Sequence, residues 1–441
     1  MESRFRGLSH LFMTVFLYTF GTFMVVPAIT DVTMEALCPG RDECSIAIYL
    51  TGLQQALVGL GTILMTPLIG NLSDKYGRKA LLTIPMTLGI LPLVVLAYSR
   101  ERNFFYVYYG LRVATGMICE GSVTCLALAY VADNVPDHRR ATAFGILSGI
   151  GSAAFVCGTL SVRFLSTSAT FQVSAGAAMF AVVYMRAMLP ESITDEDECL
   201  ITPSSKVGGE AKVVAEVDDE ESEKMEKNLF KSLPSFAVIM SLLKTSTTFS
   251  QAVVVGFFSN LGEVGLHASL MYYLKARFQF NKDEFADLMI IAGIAGTVSQ
   301  LLIMPVLTTA VGEVKLLSLG LFINCVHIVL YGIAWASWVP YVCAMLSVLM
   351  VFSQPCLRSI VSKQVGPSEQ GKAQGCISGI CSLANVVSPL IFSPLTALFL
   401  SDKAPFHFPG FSIICTGFAI MIALTQSLMI RAPAPASNHI V

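Results

Sequence analysis

Gly70-Asn71-Leu72-Ser73-Asp74-Lys75-Tyr76-Gly77-Arg78-Lys79 decides the fold, because it sets four ionic side chains and two glycines between two long apolar runs. Gly70 and Gly77 permit a tight turn and a close approach of helices. Asp74 can meet an arginine or a helix N-terminus, whose free backbone N–H groups attract a carboxylate. Lys75, Arg78 and Lys79 hold such a loop on the cytosolic side of a membrane, where short loops collect basic residues. A basic anchor alone would need neither Asp74 nor the glycines. Their presence asks for a folded contact at the membrane edge.

Composition leads to the same place. Of 441 residues 54% are hydrophobic and 13% charged, against about 25% charged in soluble domains, and the mean hydropathy is +0.68. A helix crosses the hydrocarbon with about 20 apolar residues. Windows of that size predict twelve spans: Leu8–Pro27, Ile46–Ile69, Ala80–Tyr98, Phe104–Val131, Ala143–Leu165, Phe171–Leu189, Phe249–Leu274, Phe285–Leu307, Leu316–Trp335, Val339–Ile360, Ala373–Leu398 and Phe411–Ile430. The first run is too long for a removed signal peptide and has no small-residue cleavage site, so it is read as a retained span. The expectation is an all-α polytopic membrane protein.

With the N-terminus inside, 19 of the 28 basic residues fall to the cytosolic side and 8 to the outer side, with Arg112 inside a span. Both termini are then cytosolic. Residues 190–232 change character abruptly, with 13 acidic and 5 basic side chains and the runs Asp195–Glu198 and Asp218–Glu221. Such a stretch reads as a solvated linker. The predicted organisation is a six-helix half over 1–189, a linker with the lead-in to helix 7 over 190–245, a second six-helix half over 246–431, and a cytosolic tail over 432–441. A weak internal repeat supports it. Arg139–Gly145 and Glu369–Gly375 share an Ala-x-Gly ending 230 residues apart, and only Pro305, Gly312 and Lys315 echo the 70–79 stretch. Parallel repeats place a binding site near the bilayer midplane.

The 70–79 stretch resembles the loop between helices 2 and 3 of the major facilitator superfamily, and Pro190-Glu191-Ser192 looks like the ending of the first half in that group. Ala129-Tyr130-Val131-Ala132-Asp133 with Arg139, Arg140 and Phe144-Gly145 is similar to the segment after helix 4 in the tetracycline-resistance efflux proteins and the hippocampus-abundant-transcript proteins. Gly262–His267 with Tyr272-Tyr273-Leu274, and Glu369–Gly375, resemble the same group. The resemblance implies a twelve-helix secondary transporter that moves a small organic solute by alternating access, coupled to protons in the manner of efflux antiporters, with helices 1, 4, 7 and 10 lining the cavity. It also implies a gating role for Gly70, Asp74, Gly77, Arg78 and Lys79, and a second cytosolic motif in Asp133, Arg139 and Arg140. Two positions depart from the family pattern. Phe16-Leu17 is followed by Tyr18 rather than an acid, and Gly145, Gly149, Gly151 and Gly158 occur without the antiporter proline.

Ionisable groups inside spans are rare, because an unpaired buried charge costs a few kcal/mol, about 3 by insertion scales. Arg112 and Glu120 in span 4, and Glu263 and His267 in span 7, stand out. Arg112, with Thr115 and Gly116, matches the family's helix-4 arginine motif; the plain alternative is a snorkelling side chain. Glu120 lies eight residues on, about 12 Å along a helix, so its expected partner is on another helix rather than Arg112. Asn260, Glu263 and His267 fall on one helical face, where a carboxylate and an imidazole can share a proton. The plain alternative for that pair is a satisfied hydrogen bond near the outer surface. Gln354 and Arg358, four apart in span 10, can both contact substrate, though Arg358 is read first as an anchor at the cytosolic end, and His327 is read as structural. Cys38 and Cys44 share the first outer loop and can form a disulfide in an oxidising compartment. The aromatic run from Phe104 to Tyr109 suits an interfacial belt.

No Walker loop and no zinc-type Cys/His spacing occur, so neither metal nor cofactor is called for. The partners expected are a small solute, protons and the lipid bilayer, not nucleic acid, with the monomer as working unit, in the plasma membrane or an endomembrane such as a vacuole. No nucleophile and base fall at a credible spacing, so an enzyme is disfavoured. The rival reading is a receptor or nutrient sensor on the same scaffold.

Overall fold

Apolar runs too long for a soluble core must satisfy their backbone groups internally once in lipid, and the helix does this within one segment. In a computed structural model the described residues are 2–37, 45–191, 246–280, 282–400 and 404–430, all of them helical or in connecting turns. Cys38, Cys44, most of the acidic segment and the C-terminal tail lie outside them. Twelve helices are long and apolar enough to cross a membrane. In the first half these are span 1 (Arg6–Val26), span 2 (Leu53–Tyr76), span 3 (Arg78–Tyr98), span 4 (Arg102–Asn134), span 5 (Asp137–Phe164) and span 6 (Thr167–Met188). The second half holds span 7 (Thr247–Phe278), span 8 (Glu284–Val311), span 9 (Glu313–Gly332), span 10 (Val339–Ser362), span 11 (Gln370–Phe399) and span 12 (Phe411–Met429). Each of the twelve predicted runs is found.

Buried side chains gather within each half: Leu82, Tyr130, Phe144 and Met185 belong to one cluster, while Phe249, Tyr273, Leu321 and Phe352 belong to another. Leu64, Val183, Leu302 and Leu390 stay exposed on the outside, as expected of a surface whose solvent is lipid.

Three spans are interrupted. Span 4 stops at Cys119 and resumes at Ser122, with Gly121 at φ 81° between them. Span 8 carries a π-helical turn over Ser299–Ile303, and span 10 tightens to a 3₁₀ turn over Ser347–Leu349. Irregular backbone at membrane depth is tolerated where it lines a cavity or is buried by protein.

The repeat is far clearer in the backbone than in the sequence. Gly77 (φ 86°, ψ 152°) ends span 2 and caps span 3, and Gly312 (φ 85°, ψ 152°) does the same between spans 8 and 9. Arg140 Nε donates to the carbonyls of Ala132 and Val135. At the matching place Gln370 Nε2 donates to Ser362 and Val365. After Gly77, Arg78 pairs with Asp133 at 2.8 Å; after Gly312, Glu313 pairs with Lys363 at 2.7 Å. The ion pair persists with its charges exchanged between the strands of the repeat, which hides it from any comparison of residue letters.

Candidate gate and transport cavity

Span 2 packs on span 11 more extensively than any other two helices among the described residues. Gly70 and Gly371 make this possible, since a Cβ on either would overlap the other's carbonyl oxygen. The close approach carries Asp74 onto the start of span 11, where its Oδ1 and Oδ2 accept hydrogen bonds from the backbone N–H groups of Gly371 and Lys372, each at 2.9 Å. A helix N-terminus presents unpaired N–H groups to an anion. Arg78 binds the same carboxylate at 2.6 Å and Asp133 at 2.8 Å, and its Nη1 donates to Ser73 Oγ at 2.5 Å. Arg78 is almost fully buried, so its charge is matched by two acids rather than by water.

The predicted loop and part of the second motif thus form one assembly. Arg140 pairs with Asp137 at 2.9 Å and reaches the Ser362 carbonyl in the other half at 3.4 Å. Lys79 contributes its backbone N–H, which donates to Glu191 Oε1 at 3.0 Å. Arg139 is exposed and outside the assembly. Ser73 and the span 11 amides were not singled out by sequence reasoning; a hydroxyl one turn before an arginine is too common to signal a partner.

Spans 5 and 8 form the other seam between the halves. Thr142 Oγ1 and Thr308 Oγ1 share a hydrogen bond at 2.7 Å. Farther along, Ser152 Oγ donates to Gln300 Oε1 at 3.4 Å, and at the opposite end Arg163 meets Asp287 at 3.7 Å on an exposed surface.

Two adjoining cavities lie near these seams, the smaller within the second half and the larger between the halves. One, of about 250 Å³, is walled by Glu263, His267, Gln300, Asn324, His327 and Gln354 among others. Its neighbour, of about 430 Å³, is walled by Thr19, Phe23, Ser148, Ser152, Phe155, Gln354 and Arg358 among others. Gln354 lines both. Glu263 and His267 therefore do share a cavity, though the contact Glu263 makes is with Asn324 Nδ2 at 3.4 Å. Asn260, on the same face, turns instead to span 11, donating to Cys381 O and Asn385 Oδ1.

Three expectations are corrected. Glu120 meets Arg112 at 3.8 Å: the helix ends at Cys119, Glu120 is extended at φ −69°, ψ 125°, and its side chain turns back toward the arginine. Arg358 is a cavity residue, donating to Gln374 Oε1 at 3.2 Å and Ser378 Oγ at 3.0 Å, not a terminal anchor. His327, read as structural, lines the cavity with Glu263, and its Nδ1 is buried without a partner, as is Asn324 Oδ1. Asn324 and His327 sit three apart in an otherwise apolar span, a polar pair that sequence reading could have weighed more heavily.

The halves are thus joined by a carboxylate held on backbone amides, with a cavity between them, the place where repeat-built membrane transporters hold a midplane site. The model of the Major Facilitator Superfamily matches residues 11–389. The chain belongs to that superfamily. Within it, the chain is 26% identical to mouse hippocampus abundant transcript-like protein 1 over 81% of its own length and 66% of that protein. It is 23% identical to the class C tetracycline resistance protein of Escherichia coli, over 87% and 88% of the two chains. Among solved structures, the human organic anion transporter MFSD10 superposes with a TM-score of 0.76 at 17% identity, covering 96% of this chain and 99% of the other. The transporter FucP in its outward conformation superposes with a TM-score of 0.65 at 13% identity, covering 97% and 99%. This major facilitator protein is thus an integral, multi-pass membrane protein, and it spans just under two thirds of the length of the hippocampus-abundant-transcript relatives it matches.

Proposed function

We propose that this transporter moves a small organic solute by alternating access, as a monomer, and couples that movement to protons through Glu263. One observation carries the reading: a carboxylate stands on the wall of a cavity within the second half that adjoins, at Gln354, a cavity between the two halves, with no basic partner among the described residues. A carboxylate so placed is costly to keep charged in a membrane interior and exchanges a proton as its access to water changes. His267 on the same wall modulates that exchange. The Asp74 assembly acts as the gate of the cytosolic face, the side to which the basic residues assign the 70–79 loop. In this arrangement it is shut, and substrate and protons reach Glu263 from the opposite face.

The test uses purified protein in liposomes loaded with a pH-sensitive dye, with a panel of organic solutes added under an imposed pH gradient. An accepted solute should move protons and accumulate. Glu263→Gln, which keeps the shape of the protonated acid, should abolish gradient-driven accumulation yet retain downhill exchange. His267→Ala should chiefly move the pH optimum. Normal accumulation by Glu263→Gln sinks the coupling role and makes Glu120 the next carboxylate to test. Binding without flux for every solute would favour a receptor on this scaffold.

A further inference from the structure

The two cavities that meet at Gln354 carry opposite, uncompensated charge. On one side the Glu263 carboxylate is reached by Asn324 Nδ2 at 3.4 Å and by no cation among the described residues. Beside it Asn324 Oδ1 and His327 Nδ1 are buried without any partner, on residues that are 1% and 4% exposed. A carbonyl oxygen can only accept, and the imidazole nitrogen accepts whenever the ring proton is on the other nitrogen. Apart from the Asn324 amide N–H, this wall therefore presents acceptors that no cation meets among the described residues. On the other side Arg358 spends Nη1 on two neutral partners, Gln374 and Ser378, and forms no ion pair with a carboxylate among the described residues. A guanidinium presents five donors in a planar fork that suits a carboxylate.

Unmatched polar groups in a dry wall are penalised unless something pairs with them. Other charged side chains in the described spans have ionic partners: Arg78 has Asp74 and Asp133, Lys363 has Glu313, and Arg112 has Glu120. Glu263 and Arg358 have none among the described residues. Gln354, one helical turn before Arg358 on span 10, lies on the walls of both cavities, so a single solute can reach across from one charge to the other.

We infer that the solute is dipolar: its ammonium end is received by Glu263, Asn324 and His327, and its carboxylate end by Arg358. The inference rests on the transporter reading but specifies the substrate class, an amino acid whose two charges are held apart by an apolar spacer. Phe23 and Phe155 on the wider cavity's wall give that spacer an apolar surface to cover.

Equilibrium binding tests this without any gradient. The full-length protein in detergent is titrated with 4-aminobutanoate, 6-aminohexanoate and 8-aminooctanoate, and with hexylamine and hexanoate as single-charge probes, reading the melting temperature. At least one amino acid should stabilise at a concentration about tenfold or more below either single-charge probe, which is 1.4 kcal/mol of added contact. Glu263→Gln should erase its advantage over hexanoate and keep its advantage over hexylamine; Arg358→Gln should do the reverse, and Glu263→Asp should restore the wild-type order. Equal stabilisation by hexylamine or hexanoate alone, unchanged preference in both variants, or no stabilisation by any probe overturns the inference. A dipolar probe that binds yet is not moved in liposomes keeps it and sinks the transport reading; a solute moved with no such preference does the opposite.

Discussion

The two seams that join the halves are products of one repeat, and they are built from different materials. Where span 2 meets span 11, backbone touches backbone at Gly70 and Gly371, and a carboxylate caps the facing helix. Where span 5 meets span 8, the space beside Gly145 and Gly149 is filled by the side chains of Met304 and Leu301, and the polar contacts are two threonine hydroxyls, the Ser152–Gln300 hydrogen bond and an exposed Arg163–Asp287 pair. The repeat places Thr309 where Asp74 stands in the first half, and its hydroxyl turns back to its own helix at Val306. One operation of the fold thus yields a latch in which backbone amides receive a carboxylate and a seam of flexible side chains. A latch that must release favours the first; a contact that must persist while the halves tilt favours the second, because a methionine re-seats at little cost.

Arg78 offers the harshest way to break this contrast. Arg78→Gln leaves Asp74 and Asp133 buried without their cation, and removing one partner of a buried pair costs about 3–5 kcal/mol. Thermal unfolding of the purified protein should show it as a large loss. Lys363→Gln, on the pair of exchanged charge, should show less, because Lys363 is 23% exposed and water partly replaces it. Equal losses would remove the distinction.

Gly371→Ala comes next. Its Cβ would fall on the Gly70 carbonyl, with Arg78 and Ser73 close behind, and overpacking of this kind costs about 1–3 kcal/mol. Gly145→Ala should be milder than Gly371→Ala, since what its Cβ meets is the end of the Met304 side chain. Melting temperature separates the two, and a Gly145→Ala as damaging as Gly371→Ala would show that the second seam is as rigid as the first.

Asp74→Asn should leave the fold intact and cut transport sharply. Hydrogen bonds to a charged group contribute about 1.5–3 kcal/mol, and that loss is applied to the closed state alone, shifting the access equilibrium rather than unfolding the chain. Transport at the wild-type rate by Asp74→Asn would reduce the latch to an anchor. The smallest effect belongs to the double change Thr142→Val and Thr308→Val, which deletes one hydroxyl pair and should lower stability by about 1 kcal/mol with flux nearly unchanged.

Much of the architecture was legible. Twelve runs of apolar residues announce twelve spans because hydrocarbon selects segments one at a time, by length and composition. The helix break in span 4 was not legible: Glu120-Gly121 is a short polar interruption that a hydropathy window averages away, and with it went the expectation that Arg112 and Glu120 stay apart. Of the candidate site, Asp74, Arg78, Asp133, Glu263, His267 and Gln354 stood out as ionic or polar groups in unusual places. Arg358 was misassigned because its distance from a span's end says nothing of which way it points; Asn324 was passed over and His327 read as structural because the charges of span 9, Glu313 and Lys315, sit at its start, far from both.

Sequence by itself determined the solvent of this protein, the number of its crossings, the division into halves suggested by the acidic segment, and the ionic character of the loop at residues 70–79. Each of these is a local sum over residues, and lipid reads local sums. Only the tertiary structure decided that Asp74 is received by two amides nearly three hundred residues away, that the Arg78–Asp133 and Glu313–Lys363 pairs occupy equivalent places with their charges exchanged, and that Glu263 and Arg358 stand on adjoining cavities with no ion pair among the described residues. Charge pairing acts over a few ångströms and in a fixed direction, so it belongs to the packing of the helices and not to their order along the chain.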